Sequence, residues 1–173
     1  MTKVKFTRKQ EWHPARVLAG GVLICAMCFS INIAAVTSGT NAAVNQPAEG
    51  VLSLDTKRVF ALGMIETGNN DREIGAAGEV SRYQIHPAVW KVYSQSMEYT
   101  NPDISLQVAR QHWAYLNNYF REKAGREPED FDMYVLWNTR YGYYAHKGFS
   151  QRQISPIVRD RARRFVNLVN RKN

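Results

Sequence analysis

Cysteine is scarce in this chain: two residues in 173, Cys25 and Cys28. Two cysteines cannot build a disulfide framework or a four-ligand zinc site. In a soluble domain their C-x-x-C spacing points to redox or metal chemistry. Here both sit in an uncharged apolar run, where cysteine packs as a small hydrophobe. Ile24 and Met27, which precede them, are too large for a lipoprotein cleavage box. Proline (6) and glycine (11) are too few for a collagen-like or low-complexity chain. His86, His112 and His146 show no paired metal spacing, no glycine-rich phosphate loop follows a strand, and no Ser or Cys nucleophile has recognisable surroundings. No metal and no cofactor is therefore expected. No segment alternates convincingly with period two, so sheet is limited to a short hairpin within 72–83.

What the chain has in excess is positive charge, formally +8. Such an excess is a footprint of nucleic-acid binding only when it forms one patch. It does not. Residues 1–42 carry +4, residues 43–139 carry −4 and residues 140–173 carry +8. The last share is concentrated in Arg159, Arg161, Arg163, Arg164, Arg171 and Lys172, on a terminal helix where such a run reads as a solvated face. No nucleic-acid partner is expected.

The N-terminal charge has another explanation. Lys3, Lys5, Arg8, Lys9 and Arg16 precede Val17–Val36, which holds no charged residue. Twenty such residues span roughly 30 Å as a helix, about the thickness of a bilayer core. A basic head, an apolar run and small residues after it (Thr40-Asn41-Ala42) form the layout of an export segment. Residues 1–42 are thus read as a signal peptide or a retained membrane anchor, with everything after them exported to the periplasm or cell envelope, or secreted. Residues 43–50 are small and polar and read as a linker.

Residues 51–173 form one domain of mainly α class. Start and stop signals place helices over 53–66 (stop Gly68), 87–96 (opened by Pro87), 101–124 (stop Gly125), from Pro128-Glu129-Asp130 onward, and from Ser155-Pro156 to the end, with Val158, Ala162, Phe165 and Val169 buried.

Glu66 is the informative residue. It shares a helix face with Val59 and Leu62 and is followed by Thr67-Gly68. A carboxyl on an apolar face has its charged form disfavoured, so its pKa rises, which suits it to general acid and then base work. A glycine-bearing loop follows, Thr67 to Val80, and then Ser81-Arg82-Tyr83-Gln84-Ile85 and, later, Leu136-Trp137-Asn138-Thr139-Arg140. In order and spacing these elements resemble the lysozyme-like superfamily of soluble lytic transglycosylases and goose-type lysozymes, over about residues 51–170. Ser81 stands where that family has glycine, Tyr83 where it has methionine, and Thr139-Arg140 replaces Ala-Gly.

The resemblance implies a lysozyme-like helical fold and a cleft for a β-1,4-linked amino-sugar polymer, peptidoglycan above all. Glu66 is then the catalytic acid of a monomeric, cofactor-free cell-wall enzyme, with Ser81, Tyr83, Gln84, Trp137 and Asn138 in substrate-binding positions. Lytic transglycosylases use one Glu, which protonates the bridging oxygen and then deprotonates the muramyl 6-hydroxyl to close a 1,6-anhydro ring. A hydrolytic lysozyme or chitinase-like enzyme needs a second carboxylate, and Glu79, beside the second motif, is the candidate. A non-catalytic wall-binding protein of the same fold is a third reading. All nine tyrosines fall between 83 and 144, and sugar C–H faces pack on aromatic rings. Tyr83 and Tyr141 are expected in the cleft, the latter in a loop with Tyr143 and Tyr144, while Tyr115, Tyr119 and Tyr134 are expected in the core.

Overall fold

The computed structural model describes residues 52–140 and 142–171; the export segment, the linker and Tyr141 lie outside them. Of the described residues 58% are helical and none is in a strand, so the domain is mainly α. The helices are α1 (Thr56–Thr67), α2 (Pro87–Tyr93), α3 (Pro102–Ala124), α4 (Asp130–Asn138), α5 (Tyr143–His146) and α6 (Pro156–Val169).

Local chemistry explains most of these limits. Asp55, Asn101 and Ser155 cap α1, α3 and α6 by accepting backbone N–H groups of the first turn. Pro102 and Pro156 occupy first-turn positions where no intrahelical donor is needed. Gly68 and Gly125 end α1 and α3 with φ of 68° and 66°, a backbone region in which a Cβ is costly. α4 opens with a reciprocal cap, Glu129 and Asp132 each accepting from the other's backbone.

Three elements differ from expectation. α2 stops at Tyr93 rather than near residue 96. Ser94 and Ser96 turn their hydroxyls onto the N–H groups of Ser96 and Glu98, an alternative to the helical ladder. The expected tyrosine loop after Asn138 contains the short helix α5, because Tyr144 is buried and its hydroxyl donates to Asp132 Oδ1 at 2.7 Å. Of the hairpin expected within 72–83, only an isolated antiparallel bridge exists, Val80 to Ile85, closed by two hydrogen bonds of 2.9 Å.

α4 is the central element. Phe131 to Leu136 are buried without a break, as befits a helix covered on all sides. It packs against α3 and α6, and α6 also packs against α1. Trp113, Phe120, Met133, Tyr134 and Phe165 fill the space between them. Asp132, a fully buried acid in that core, is neutralised by a two-point contact from Arg126 at 2.8 and 3.0 Å. The segment entering α1 is pinned to α3, since the Leu52 carbonyl accepts from Trp113 Nε1 at 2.8 Å. Arg58 Nε binds Asp130 Oδ1 at 2.5 Å, which sets the starts of α1 and α4 side by side. Glu66, in the last turn of α1, then meets Tyr134 in the middle of α4 and Arg161 of α6.

Candidate functional site

Glu66 occupies the last turn of α1, and its side chain is 6% exposed. Three elements meet on it. Tyr134, from α4, donates its phenolic hydrogen to Oε1 at 2.6 Å. Arg161, from α6, donates from Nη2 to Oε2 at 2.9 Å, and its Nε donates to the Tyr134 oxygen at 3.0 Å. The third neighbour is Glu79, in the loop that follows α1, whose charge acts on Glu66 through space.

These influences oppose one another. Burial raises the Glu66 carboxyl above its ordinary range, and the Tyr134 and Arg161 contacts pull it back. Glu79 pushes it up again by like-charge repulsion. Burial wins, so the group holds its proton to higher pH than a carboxyl in water. A carboxyl of that kind, beside a basic and a phenolic donor, can give a proton and take it back.

The loop is built against the end of α1. Asn69 N–H returns to the Gly63 carbonyl at 3.0 Å, and Thr67 Oγ1 donates to the Arg82 carbonyl at 3.0 Å. A Cβ on Gly63 would overlap the Asn69 side-chain oxygen, so that amide would have to shift to make room. Arg82 and Asp71 form an ion pair that ties the loop's two limbs. Within it, Glu79 Oε2 accepts from the Ala77 N–H at 3.0 Å. Glu79 Oε2 and Gln84 Oε1 converge on Gly75, where a Cβ would overlap both. Asp71 and Glu79 thus have partners within the loop.

The other expected site residues are placed as follows. Ser81 is buried at φ 63°. This left-handed conformation costs a residue with a Cβ about 1 kcal/mol, and Ser81 Oγ supports it by accepting from the Tyr83 N–H at 3.3 Å. Tyr83 is 2% exposed, so its ring is a core residue rather than a cleft wall with a face for a sugar. Gln84, half-buried at φ 51°, donates to the Ser81 carbonyl at 3.2 Å. Trp137 Nε1 donates to the Tyr83 carbonyl at 3.1 Å, joining α4 to the loop, and its ring packs on His112 at 5.2 Å. Asn138, the last residue of α4, is half-buried and its side chain bonds to no other described residue. Tyr115 is exposed rather than in the core.

Two residues of the site were not anticipated. Tyr134 was expected only as core, and it is buried, its ring stacked on Phe165 at 5.2 Å, but its hydroxyl emerges on Glu66. Arg161 was expected on a solvated face. A signal for it was present: it lies three residues after Val158 and four before Phe165, on the buried side of α6. Its side chain is 36% exposed.

An open hollow of about 390 Å³ lies elsewhere, lined by Asp130, Phe131, Gln151, Arg163, Val166 and Asn170 among others. It does not include Glu66. Among the described residues no cluster of three or more His, Cys, Asp or Glu is arranged to hold a metal ion. The chain matches no family model, and neither a curated protein nor a solved structure is found similar to it.

Proposed function

We propose that this chain is an exported enzyme that cuts the β-1,4 bond between N-acetylmuramic acid and N-acetylglucosamine in peptidoglycan, with a lysozyme-like helical domain and Glu66 as its single acid and base. The observation that carries the reading is the state of Glu66. It is a buried carboxyl at a helix end, with its proton affinity raised by burial and both oxygens oriented by neighbours from α4 and α6. In the lytic transglycosylase reaction, Glu66 gives its proton to the bridging oxygen as the glycosidic bond breaks. It then takes the proton of the muramyl 6-hydroxyl, whose oxygen closes the 1,6-anhydro ring. Glu66 ends as it began, and no water enters the products.

The left-handed backbone at Ser81 supports the same reading, because a serine there keeps a conformation that glycine takes freely. Asn138, the last residue of α4, whose amide bonds to no other described residue, is the candidate donor and acceptor for the sugar's acetamido group. The export segment would deliver the domain to the envelope, where the polymer lies.

A hydrolytic second reading has one specific observation in its favour: the charge of Glu79 reaches Glu66. In an inverting glycosidase a second carboxylate about 6.5–9.5 Å away activates water. Mass spectrometry of digested purified wall separates the two, anhydro ends marking transglycosylation and reducing ends hydrolysis. Glu66→Gln is expected to lower release by about 100-fold or more. Full activity in that variant would sink both.

A further inference from the structure

The resting site poses a chemical problem. Both Glu66 oxygens are engaged, Oε1 by the Tyr134 hydroxyl and Oε2 by Arg161 Nη2, and a guanidinium at 2.9 Å favours the carboxylate over the acid. A general acid must instead carry a proton on an oxygen that can reach the substrate. One contact has to yield. Tyr134 cannot, since its ring is buried and stacked on Phe165. Arg161 can: its side chain is 36% exposed and its other anchors are the Tyr134 oxygen and the Ile65 carbonyl, the latter at a long 3.4 Å. Its Nη1 donates to no described residue, so one edge of the guanidinium fork is open to a ligand.

A planar fork with a spare edge matches a carboxylate. On the reading of the site as muramyl-glycan cleaving, a carboxylate is available within the substrate, on the 3-O-lactyl group of a muramyl residue that carries no peptide. Where a peptide is attached, that carboxyl is an amide and has no charge to offer. We propose that Arg161 is a substrate-operated switch: the lactyl carboxylate of a peptide-free muramyl residue draws the guanidinium off Glu66 Oε2, and this hand-off readies Glu66 to act as an acid. The preferred substrate of the site is then denuded glycan. Arg161 acts through Glu66 and is a positioning and specificity residue.

The groups acting on Glu66 are Tyr134 from α4 and Arg161 from α6, by direct contact, and Glu79 from the loop, by its charge. Removing the guanidinium and adding a substrate anion both favour the protonated form, so their effects on pH dependence have the same sign.

The test uses peptide-free glycan strands and the same strands with lactyl carboxylates converted to methylamides. The wild-type chain is expected to turn over the carboxylate form at least about tenfold faster, the scale of one charge-assisted hydrogen bond. The alkaline limb of its pH–rate profile is also expected at higher pH on that form. Arg161→Met should bring the ratio to about one, and Arg161→Lys should keep part of it, since a point charge replaces the fork. Arg164→Gln, on the exposed face, should leave the ratio intact, which separates the switch from general attraction by the basic helix. Equal wild-type rates and superimposable pH profiles on the two glycans would overturn the switch and leave the enzyme reading standing; this comparison needs no folded variant. A preference that survives in Arg161→Met would also overturn it. Release from neither glycan would overturn the enzyme reading and the switch together.

Discussion

Tyr134 and Glu66 lie 68 residues apart in the chain and meet at 2.6 Å, phenol donating to carboxylate. The hydroxyl favours the ionised form of Glu66, so it opposes the burial that raises the carboxyl. Tyr134→Phe removes one oxygen and keeps the ring on Phe165. The alkaline limb of the activity profile is expected to move to higher pH, with the maximal rate down about tenfold through lost orientation of the acid. Stability should fall by about 1–2 kcal/mol, because Glu66 Oε1 and Arg161 Nε lose a shared partner. A limb that stays in place would show that Glu66 is not the titrating acid.

Glu79 acts in the opposite sense. Its negative charge raises the Glu66 carboxyl, so Glu79→Gln should move the alkaline limb to lower pH. On the single-carboxylate mechanism the variant still cuts wall and still produces anhydro ends. Loss of cleavage by about 100-fold or more, with reducing ends in the wild-type digest, would assign Glu79 to water activation.

His112 gives a pH dependence of stability. Burial beside Trp137 and Tyr93 pushes its imidazole from 6.5 down to about 4. Below pH 6.5 the unfolded chain takes up a proton that the native one refuses. The stabilisation from keeping this ring neutral is therefore complete above 6.5 and is lost as pH falls toward 4. The full effect is about 3 kcal/mol. Urea midpoints for the wild type and His112→Gln between pH 4 and 7 should converge as the pH falls. Parallel curves would count against it.

Gly63 holds the site loop to α1. In Gly63→Ala the new methyl would push the Asn69 side-chain amide aside and strain the loop against α1, at an expected cost of about 1–3 kcal/mol. Because the Asn69 N–H bond to residue 63 anchors the loop that carries Glu79, activity should fall along with the melting temperature. A variant as stable as the wild type would show that the loop has room to adjust.

Much of the fold was legible locally. Gly68, Gly125, Asn101-Pro102 and Ser155-Pro156 act on backbone groups within four residues, so the ends they set are readable from neighbours alone. The end of α2 was not, because Ser94 and Ser96 compete for backbone groups as hydroxyls rather than by shape. The tyrosines were hardest. Tyr83, Tyr134 and Tyr144 are all buried, and what distinguishes them is where each polar end goes: Tyr134 onto Glu66 and Tyr144 onto Asp132.

The sequence by itself determined a mainly α domain, its main helix limits, and an apolar face with Glu66 at its end. Periodicity and capping are properties of a dozen neighbouring residues, and they settle these points. Only the tertiary structure decided what Glu66 meets. Tyr134 and Arg161 reach it from 68 and 95 residues away because α4 and α6 pack against one another and α1 against α6. The spacing of α6 puts Arg161 on the side of Val158 and Phe165, but nothing in it says what that arginine will meet; the packing of Phe165 and Ala162 sets the angle of the helix, and it carries Arg161 onto the carboxylate.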